Sequence, residues 1–346
     1  MKNLLALFVL ALYSSFSFAC STFLLNKNGH LVFGRNYDWV SGNGMVIVNE
    51  RGLKKSSFAV EGAKKISWIS KHGSISFNQF GKEFPHGGMN EKGLVVELMW
   101  LTGTEYPKAD ERAALNELQW IQYQLDNCAT VNDVLATDKL IRIGRDGAAP
   151  LHYLIADANG IAATVEFING KMVVHNGKQL KYPVLTNTVY EEALRNAALK
   201  DRRDNSVDRF ATACNMLQQY QQSNSNQAPV DYAFKMLNNI GQGSYTKWSI
   251  VYDITHKEVH FITSDHNQRK SVWFNELDFG CNSTPAFFNL SSSKSGSVFR
   301  HFSPLTATEN RKILYQSARE SSSQIMIPEL VLNGAAAYFS SVKCNK

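Results

Sequence analysis

Several features are scarce in this sequence, and each scarcity excludes a class of function. Five cysteines are spread over 346 residues with no C-x-x-C pair among them, which argues against zinc and thioredoxin-like chemistry. Beyond the first twenty residues no apolar run approaches the length of a membrane helix. Basic residues stand in isolated pairs, Lys54/Lys55, Lys64/Lys65 and Arg202/Arg203, and not in a stripe. Nucleic-acid binding would need such a stripe on an identifiable fold motif. Low-complexity sequence is confined to the serine-rich patch Ser291–Ser297. What remains is an ordinary globular composition, 44% hydrophobic.

The N-terminus is the exception. Lys2 supplies a short positive region, Leu4–Tyr13 is almost unbroken apolar sequence, and Ser14–Ala19 shifts to small and polar residues ending Ser17-Phe18-Ala19. This is the tripartite pattern of a secretory signal peptide over residues 1–19, and its apolar run is too short to span a bilayer. The expected product is exported, periplasmic or secreted, without stable membrane insertion after cleavage. Residues 20–346 are read as one domain with a helical tail from about residue 300, since length is only a soft guide to domain number. The 36 Lys and Arg fall to 35 once Lys2 leaves with the leader, against 30 Asp and Glu, a mild surplus.

Cleavage after Ala19 exposes Cys20 as a new N-terminus. A lipoprotein cysteine would want a Leu-like residue at −3 and a small one at −2, where Ser17 and Phe18 stand. Of the other cysteines, Cys128 and Cys214 fall inside helical patterns, where a buried thiol behaves as a small hydrophobe. Export also permits disulfides. Pairing of Cys281 with Cys344 is one possibility among three connectivities, and the sequence does not choose.

From Cys20 to Trp100 short strand-like runs alternate with turns: Cys20–Leu25, His30–Asn36, Gly44–Asn49, Ile66–Ser70, Ser74–Asn78 and Leu94–Trp100. Asn26–Gly29 makes a strong hairpin turn, and the glycine-rich stretch Pro85–Gly93 reads as loop. Helices are expected at Ala109–Asn127 and, after a Thr130 cap, at Thr130–Thr137. Strands return at Leu151–Asp157, Ala162–Ile168, Lys171–His175 and Pro183–Thr186. Helices follow at Tyr190–Lys200, Val207–Gln221 and Val230–Asn238, then a hairpin at Tyr245–Asp253 and Glu258–Thr263, then two helices within Thr308–Ser341. Hairpin-rich strand blocks alternating with helix blocks imply antiparallel sheets covered by helices. Both faces of the first hairpin are apolar (Phe23, Leu25 and Val32; Leu24, Leu31 and Phe33), so its sheet is expected to be covered on both sides.

The hairpin register matters for chemistry. A four-residue turn at Asn26–Gly29 sets Cys20 directly opposite Arg35; a two-residue turn at Asn28-Gly29 makes Arg35 its diagonal neighbour. Those spacings are about 4.5–5.5 Å and about 7–8 Å respectively. Either way a guanidinium reaches the thiol, and Asp38 lies just past the strand end, able to turn back over the terminus. A neighbouring cation lowers a thiol pKa from about 8.5. A free α-amino group, at about 7.7–8.0, suits a general base. Base and nucleophile would then share one residue, and no histidine is required; His86 is expected to be structural.

Five motifs occur in order: Cys20-Ser21-Thr22-Phe23, Phe33-Gly34-Arg35-Asn36-Tyr37-Asp38-Trp39, Gly88-Met89-Asn90-Glu91-Lys92-Gly93-Leu94, Val184-Leu185-Thr186-Asn187 and Asp208-Arg209-Phe210. Together they resemble the choloylglycine hydrolase family of N-terminal nucleophile hydrolases, which includes bile salt hydrolases and penicillin V acylases. The resemblance runs from Cys20 to roughly Thr263. It implies a four-layer αββα sandwich of two antiparallel sheets, an α+β fold. It implies Cys20 as nucleophile and base, Arg35 as polarising cation, Asp38 on the α-amino group, and Arg209 completing the polar network. The Asn187 side chain and the backbone N–H of Trp100 would bind the oxyanion, each such donor contributing roughly 3 kcal/mol. Trp39 and Trp100 are expected in the substrate pocket, as similar tryptophans are in exported Gram-negative relatives. Two positions depart from the pattern: Trp100 is Asn or Tyr in many relatives, and Asp208 stands where others have Ser.

The expectation is therefore hydrolysis of a small-molecule N-acyl amide through a thioester, with no metal or organic cofactor and, by resemblance, a homo-oligomer such as a tetramer. Aromatic lining suits a phenoxyacetyl or fatty acyl group, as in penicillin V or an N-acyl homoserine lactone; conjugated bile salts are the alternative. Two readings of another class are an exported binding protein that merely retains the fold and a lipid-anchored protein acylated on Cys20.

Overall fold

A computed structural model describes residues 20–58, 63–144, 148–199, 204–223, 226–282 and 285–345; the expected leader, 1–19, lies outside them. The chain opens with a hairpin of β1 (Ser21–Lys27) and β2 (His30–Asp38), followed by β3 (Met45–Asn49), β4 (Leu53–Ser56), β5 (Ser67–Ile69), β6 (Ser74–Asn78), β7 (Pro85–Asn90), β8 (Val95–Trp100) and β9 (Ala113–Leu115). Helices α1 (Glu117–Asn127) and α2 (Val131–Ala136) precede β10 (Ile141–Ile143), β11 (Leu151–Ala156), β12 (Ala162–Ile168), β13 (Lys171–Asn176) and β14 (Val184–Leu185). After α3 (Tyr190–Asn196), α4 (Asn205–Gln222) and α5 (Pro229–Asn239) come β15 (Thr246–Asp253), β16 (Glu258–Thr263), β17 (Lys270–Trp273), β18 (Ala286–Asn289), β19 (Gly296–Ser297) and β20 (Ser303–Pro304). The tail consists of α6 (Ala307–Glu320), α7 (Glu329–Ser341) and β21 (Lys343–Cys344).

Two large sheets dominate. The first has the order β14-β1-β2-β15-β16-β17-β19 and the second β13-β12-β11-β8-β7-β6-β3-β18-β20, with antiparallel pairing except between β17 and β19. Their facing sides share one core, in which Phe77 of the second sheet packs on Tyr252 and Trp248 of the first. Helices α4 and α5 cover the outer side of the first sheet through Phe210, Leu217 and Met236. Helix α1 covers the second through Trp120 and Ile121, joined there by Leu314 and Ala335 of the tail helices. The expected αββα order results. Burial of both faces of β1 and β2 is the reason their sequences do not alternate apolar with polar residues. No helix among the described residues is long and apolar enough to cross a membrane.

Four expectations are corrected or decided. The first hairpin turns on two residues, with Lys27 paired to His30 and positive φ at Asn28 (54°) and Gly29 (85°), so Thr22 faces Arg35 and Arg35 is the diagonal neighbour of Cys20. The stretch Pro85–Gly93 is not loop throughout: Pro85–Asn90 is the buried strand β7. Its glycines serve close packing and not turning. A Cβ on Gly87 would lie 2.0 Å from Glu97 Oε2, and one on Gly88 2.4 Å from the Ile75 carbonyl. Finally, the helix expected from Ala109 begins only at Glu117. Residues 113–115 form a strand parallel to β10, and Asn116 ends it by accepting hydrogen bonds from the Leu118 and Gln119 N–H groups as the helix N-cap. Cys281 and Cys344 are joined in a disulfide, and Cys20, Cys128 and Cys214 are free and buried.

Candidate active site

Cys20 sits at the root of β1, where the two sheets part. Arg35 is fully buried on β2, its Nη2 3.8 Å from the Cys20 sulfur. Its Nη1 donates to the His86 carbonyl at 2.9 Å and to the Glu97 carboxylate of β8 on the opposite sheet. Tyr252 on β15 donates its hydroxyl to the other Glu97 oxygen at 2.5 Å. Asp38 closes β2. Its Oδ1 accepts from the Thr246 hydroxyl, and its Oδ2 is buried without a partner among the described residues.

Arg209, on the first turns of α4, joins Cys20 to Asn187. Its Nη1 donates to the Cys20 carbonyl at 2.9 Å and to the Ser21 hydroxyl; its Nη2 donates to Asn187 Oδ1 at 3.1 Å. Asn187 follows β14, and its amide donates to the Trp100 carbonyl at 2.7 Å. The Leu101 N–H donates to the Pro150 carbonyl at 2.9 Å, so the adjoining Trp100–Leu151 pair is the non-hydrogen-bonded kind. The Trp100 N–H therefore turns away from β11 on the side from which Asn187 approaches. Arg35, Cys20, Arg209 and Asn187 thus form one connected group, with Asp38 beside the Cys20 thiol.

A cavity of about 510 Å³ opens onto this group and is mostly apolar, with Trp39, Trp100, Phe84, Leu98, Ile327 and Leu332 among its walls. The Trp39 and Trp100 rings, both in its wall, lie 6.3 Å apart. Trp39 Nε1 donates to Ser321 Oγ at 2.8 Å, and Ser41 donates to Glu320. The tail, which carried no motif, therefore forms part of the pocket.

Electrostatics correct one expectation. Burial pushes the Cys20 thiol up, and the opposing pull of Arg35 does not overcome it; the nearby Asp38 charge adds to the rise. The guanidinium alone does not make a thiolate, so a base must take the proton. His86 is not that base, because burial and the Arg35 charge push its imidazole down to about 3. Burial raises Asp38 to about 6 against the pull of Thr246, Arg209 and Arg35. An ammonium beside the open Oδ2 would bring it down again.

Sequence reasoning missed Glu97, Tyr252 and Thr246. Glu97 had a signal: it is the lone charge in Leu94-Val95-Val96-Glu97-Leu98-Met99-Trp100, and a carboxylate in a buried strand needs a partner. Thr246 and Tyr252 had none, because only the pairing of β15 with β2 brings them to the site. For cations, His30, Asp253 and His256 converge at the far end of β2, where both rings hydrogen-bond Asp253 Oδ2 at 2.8 Å.

Two facing antiparallel sheets between helical layers, with a cysteine at the root of the first strand, are the fold of the N-terminal nucleophile hydrolases. The structure of penicillin V acylase from Agrobacterium tumefaciens superposes with a TM-score of 0.71 at 25% identity, covering 83% of this chain and 98% of that one. A conjugated bile acid hydrolase from Clostridium perfringens superposes at 0.66 with 19% identity, covering 80% and 98%, a likeness of fold. In sequence, residues 20–198 match the linear amide C–N hydrolases, choloylglycine hydrolase family. The chain belongs to that family. Penicillin V acylase from Pectobacterium atrosepticum is 34% identical over 203 residues, 53% of each chain, so the match spans about half the length of that curated relative.

Proposed function

We propose that this protein is an exported hydrolase of N-acyl amides, in which Cys20 becomes N-terminal on removal of the leader and acts as both nucleophile and base. The observation that carries this reading is the buried Cys20 sulfur beside Arg35, with an Asp38 oxygen next to it that has no partner among the described residues and an apolar cavity in front. The open oxygen is the acceptor that a new α-ammonium group requires. The Cys281–Cys344 disulfide supports export to an oxidising compartment.

The thiol proton passes to the α-amine, and the sulfur pair forms the S–C bond as the carbonyl pair moves onto oxygen. Asn187 Nδ2, which at rest donates to the Trp100 carbonyl, and the Trp100 N–H would then donate to that oxyanion. Collapse restores the carbonyl and breaks the C–N bond, and the leaving amine takes the proton from the α-ammonium. Water, deprotonated by the α-amine, then hydrolyses the thioester and returns the thiol.

A mostly apolar cavity with paired tryptophans fits a phenoxyacyl or fatty acyl group, so penicillin V or an N-acyl homoserine lactone is the proposed substrate. The penicillin V acylase relatives point the same way. Intact mass and N-terminal sequencing of the exported protein are expected to give a free Cys20. Cys20→Ser is expected to fold normally and to lose at least about a thousandfold in kcat/KM. Hydrolysis that survives Cys20→Ser would sink the mechanism, and faster turnover of conjugated bile salts than of both other amides would sink the substrate class.

A further inference from the structure

Arg35 and Glu97 belong to different sheets, and their ion pair bridges the gap between them with both side chains fully buried. Burying a guanidinium is costly unless it is paired, and Arg35 has one carboxylate in contact and one thiol. Space for the pair is made by Gly87, where any Cβ would overlap the carboxylate. Leu154 faces Glu97 from β11 on its other side. The titratable groups around the pair are Tyr252 on β15, His86 on β7, Tyr37 and Asp38 on β2, and Cys20 itself. Of these, Tyr252 alone touches the carboxylate, as a donor.

Two anionic positions therefore compete for one cation. Nη1 is committed to Glu97, and Nη2 points at the sulfur from 3.8 Å. A charge already matched by a carboxylate attracts a second anion less, because the pair acts as a dipole and not as a free charge. We propose that Glu97 is a positioning residue that aims Arg35 at Cys20 and partly cancels its charge, so that the nucleophile rests as the neutral thiol and ionises only when its own α-amine accepts the proton. Burial pushes the Glu97 carboxyl up to about 7, opposed by Arg35 and Tyr252, so the carboxylate is present over the pH range in which the thiol titrates. This inference rests on the reading of Cys20 as nucleophile, yet its test needs no substrate.

The rate of alkylation of Cys20 by iodoacetamide, followed against pH and assigned by peptide mass spectrometry, reports the thiol pKa separately from buried Cys128 and Cys214. Glu97→Gln keeps the shape and removes the charge. It is expected to move the Cys20 midpoint down by about one pH unit or more, the size of effect that an opposite charge at contact distance, here Arg35 without its carboxylate, exerts on a titrating group. Tyr252→Phe removes the donor that favours the ionised carboxylate, and a smaller shift in the same direction is expected. An unmoved or raised midpoint in folded Glu97→Gln overturns the proposal; if that variant does not fold, an unmoved or raised midpoint in Tyr252→Phe does so. A downward shift without any amide hydrolysis would uphold the Arg35–Glu97 coupling while removing the proposed function.

Discussion

Asn187 and Glu117 show how single side chains carry separate burdens. At rest the Asn187 amide bridges the Trp100 carbonyl and the Arg209 guanidinium, which orients it in advance for the oxyanion of the proposed reaction. Asn187→Ala is expected to lower kcat by about 10²–10³-fold with little change in KM, as steady-state kinetics would show. Glu117 lines the far part of the cavity. Its Oε1 accepts from the Ala149 N–H at 3.2 Å, whereas Oε2 has no partner among the described residues. Burial raises this carboxyl from 4.5 to about 7. The folded protein then holds a proton that the unfolded chain has lost, so stability falls as pH rises between those two values. Glu117→Gln should lack that decline, with a gain over the natural chain, on going from pH 4 to pH 8, on the order of 3 kcal/mol. Urea unfolding at the two pH values measures it, and equal slopes with pH would contradict it.

At the scale of elements, β7 shows why local rules misread a strand. Pro, Gly and Asn ordinarily mark turns, but here Gly87 and Gly88 let β6, β7 and β8 approach around the Glu97 carboxylate. Gly87→Ala is expected to cost about 1–3 kcal/mol, as overpacking does, and to impair hydrolysis as well because the methyl group displaces Glu97 and with it Arg35. Thermal unfolding and kcat/KM measured together test the link: lost stability with full activity would break it. Helix α1 shows the reverse effect. Leu115 continues the helical spacing of Leu118 and Ile121, so periodicity extended the helix backwards through residues that instead pair with Ile141–Ile143. Periodicity cannot register a partner strand that lies nearly thirty residues later.

Across the whole molecule, the tail closes the structure twice. Helices α6 and α7 wall the cavity and clasp Trp39 through Ser321, and β21 pairs with β4 while Cys344 bonds to Cys281, 63 residues earlier. Breaking that bridge releases a long closed loop in the unfolded chain. The paired substitution Cys281→Ser with Cys344→Ser is therefore expected to lower stability by about 2–4 kcal/mol. Calorimetry would show the loss as a lower Tm, and an unchanged Tm would mean that the tail is held by packing alone.

The hairpin turn at Asn28-Gly29 and the ordered motifs around Cys20, Arg35, Asp38, Asn187 and Arg209 were legible because they depend on residue type and short spacing. The two covered sheets were legible too, since apolar residues on both faces of a hairpin demand two partners. Glu97 left a trace as one charge in an apolar strand, but nothing in the sequence tied it to Arg35, and Thr246 and Tyr252 left none. Which groups meet across the gap between the sheets depends on long-range pairing of β15 with β2 and of β8 with β7. The same holds for the pKa of the Cys20 thiol. The sequence by itself determined that a cysteine, an arginine and an aspartate would stand together at one strand end. Only the tertiary structure decided that burial outweighs the arginine there, because desolvation depends on everything packed around the sulfur and not on its neighbours in the chain.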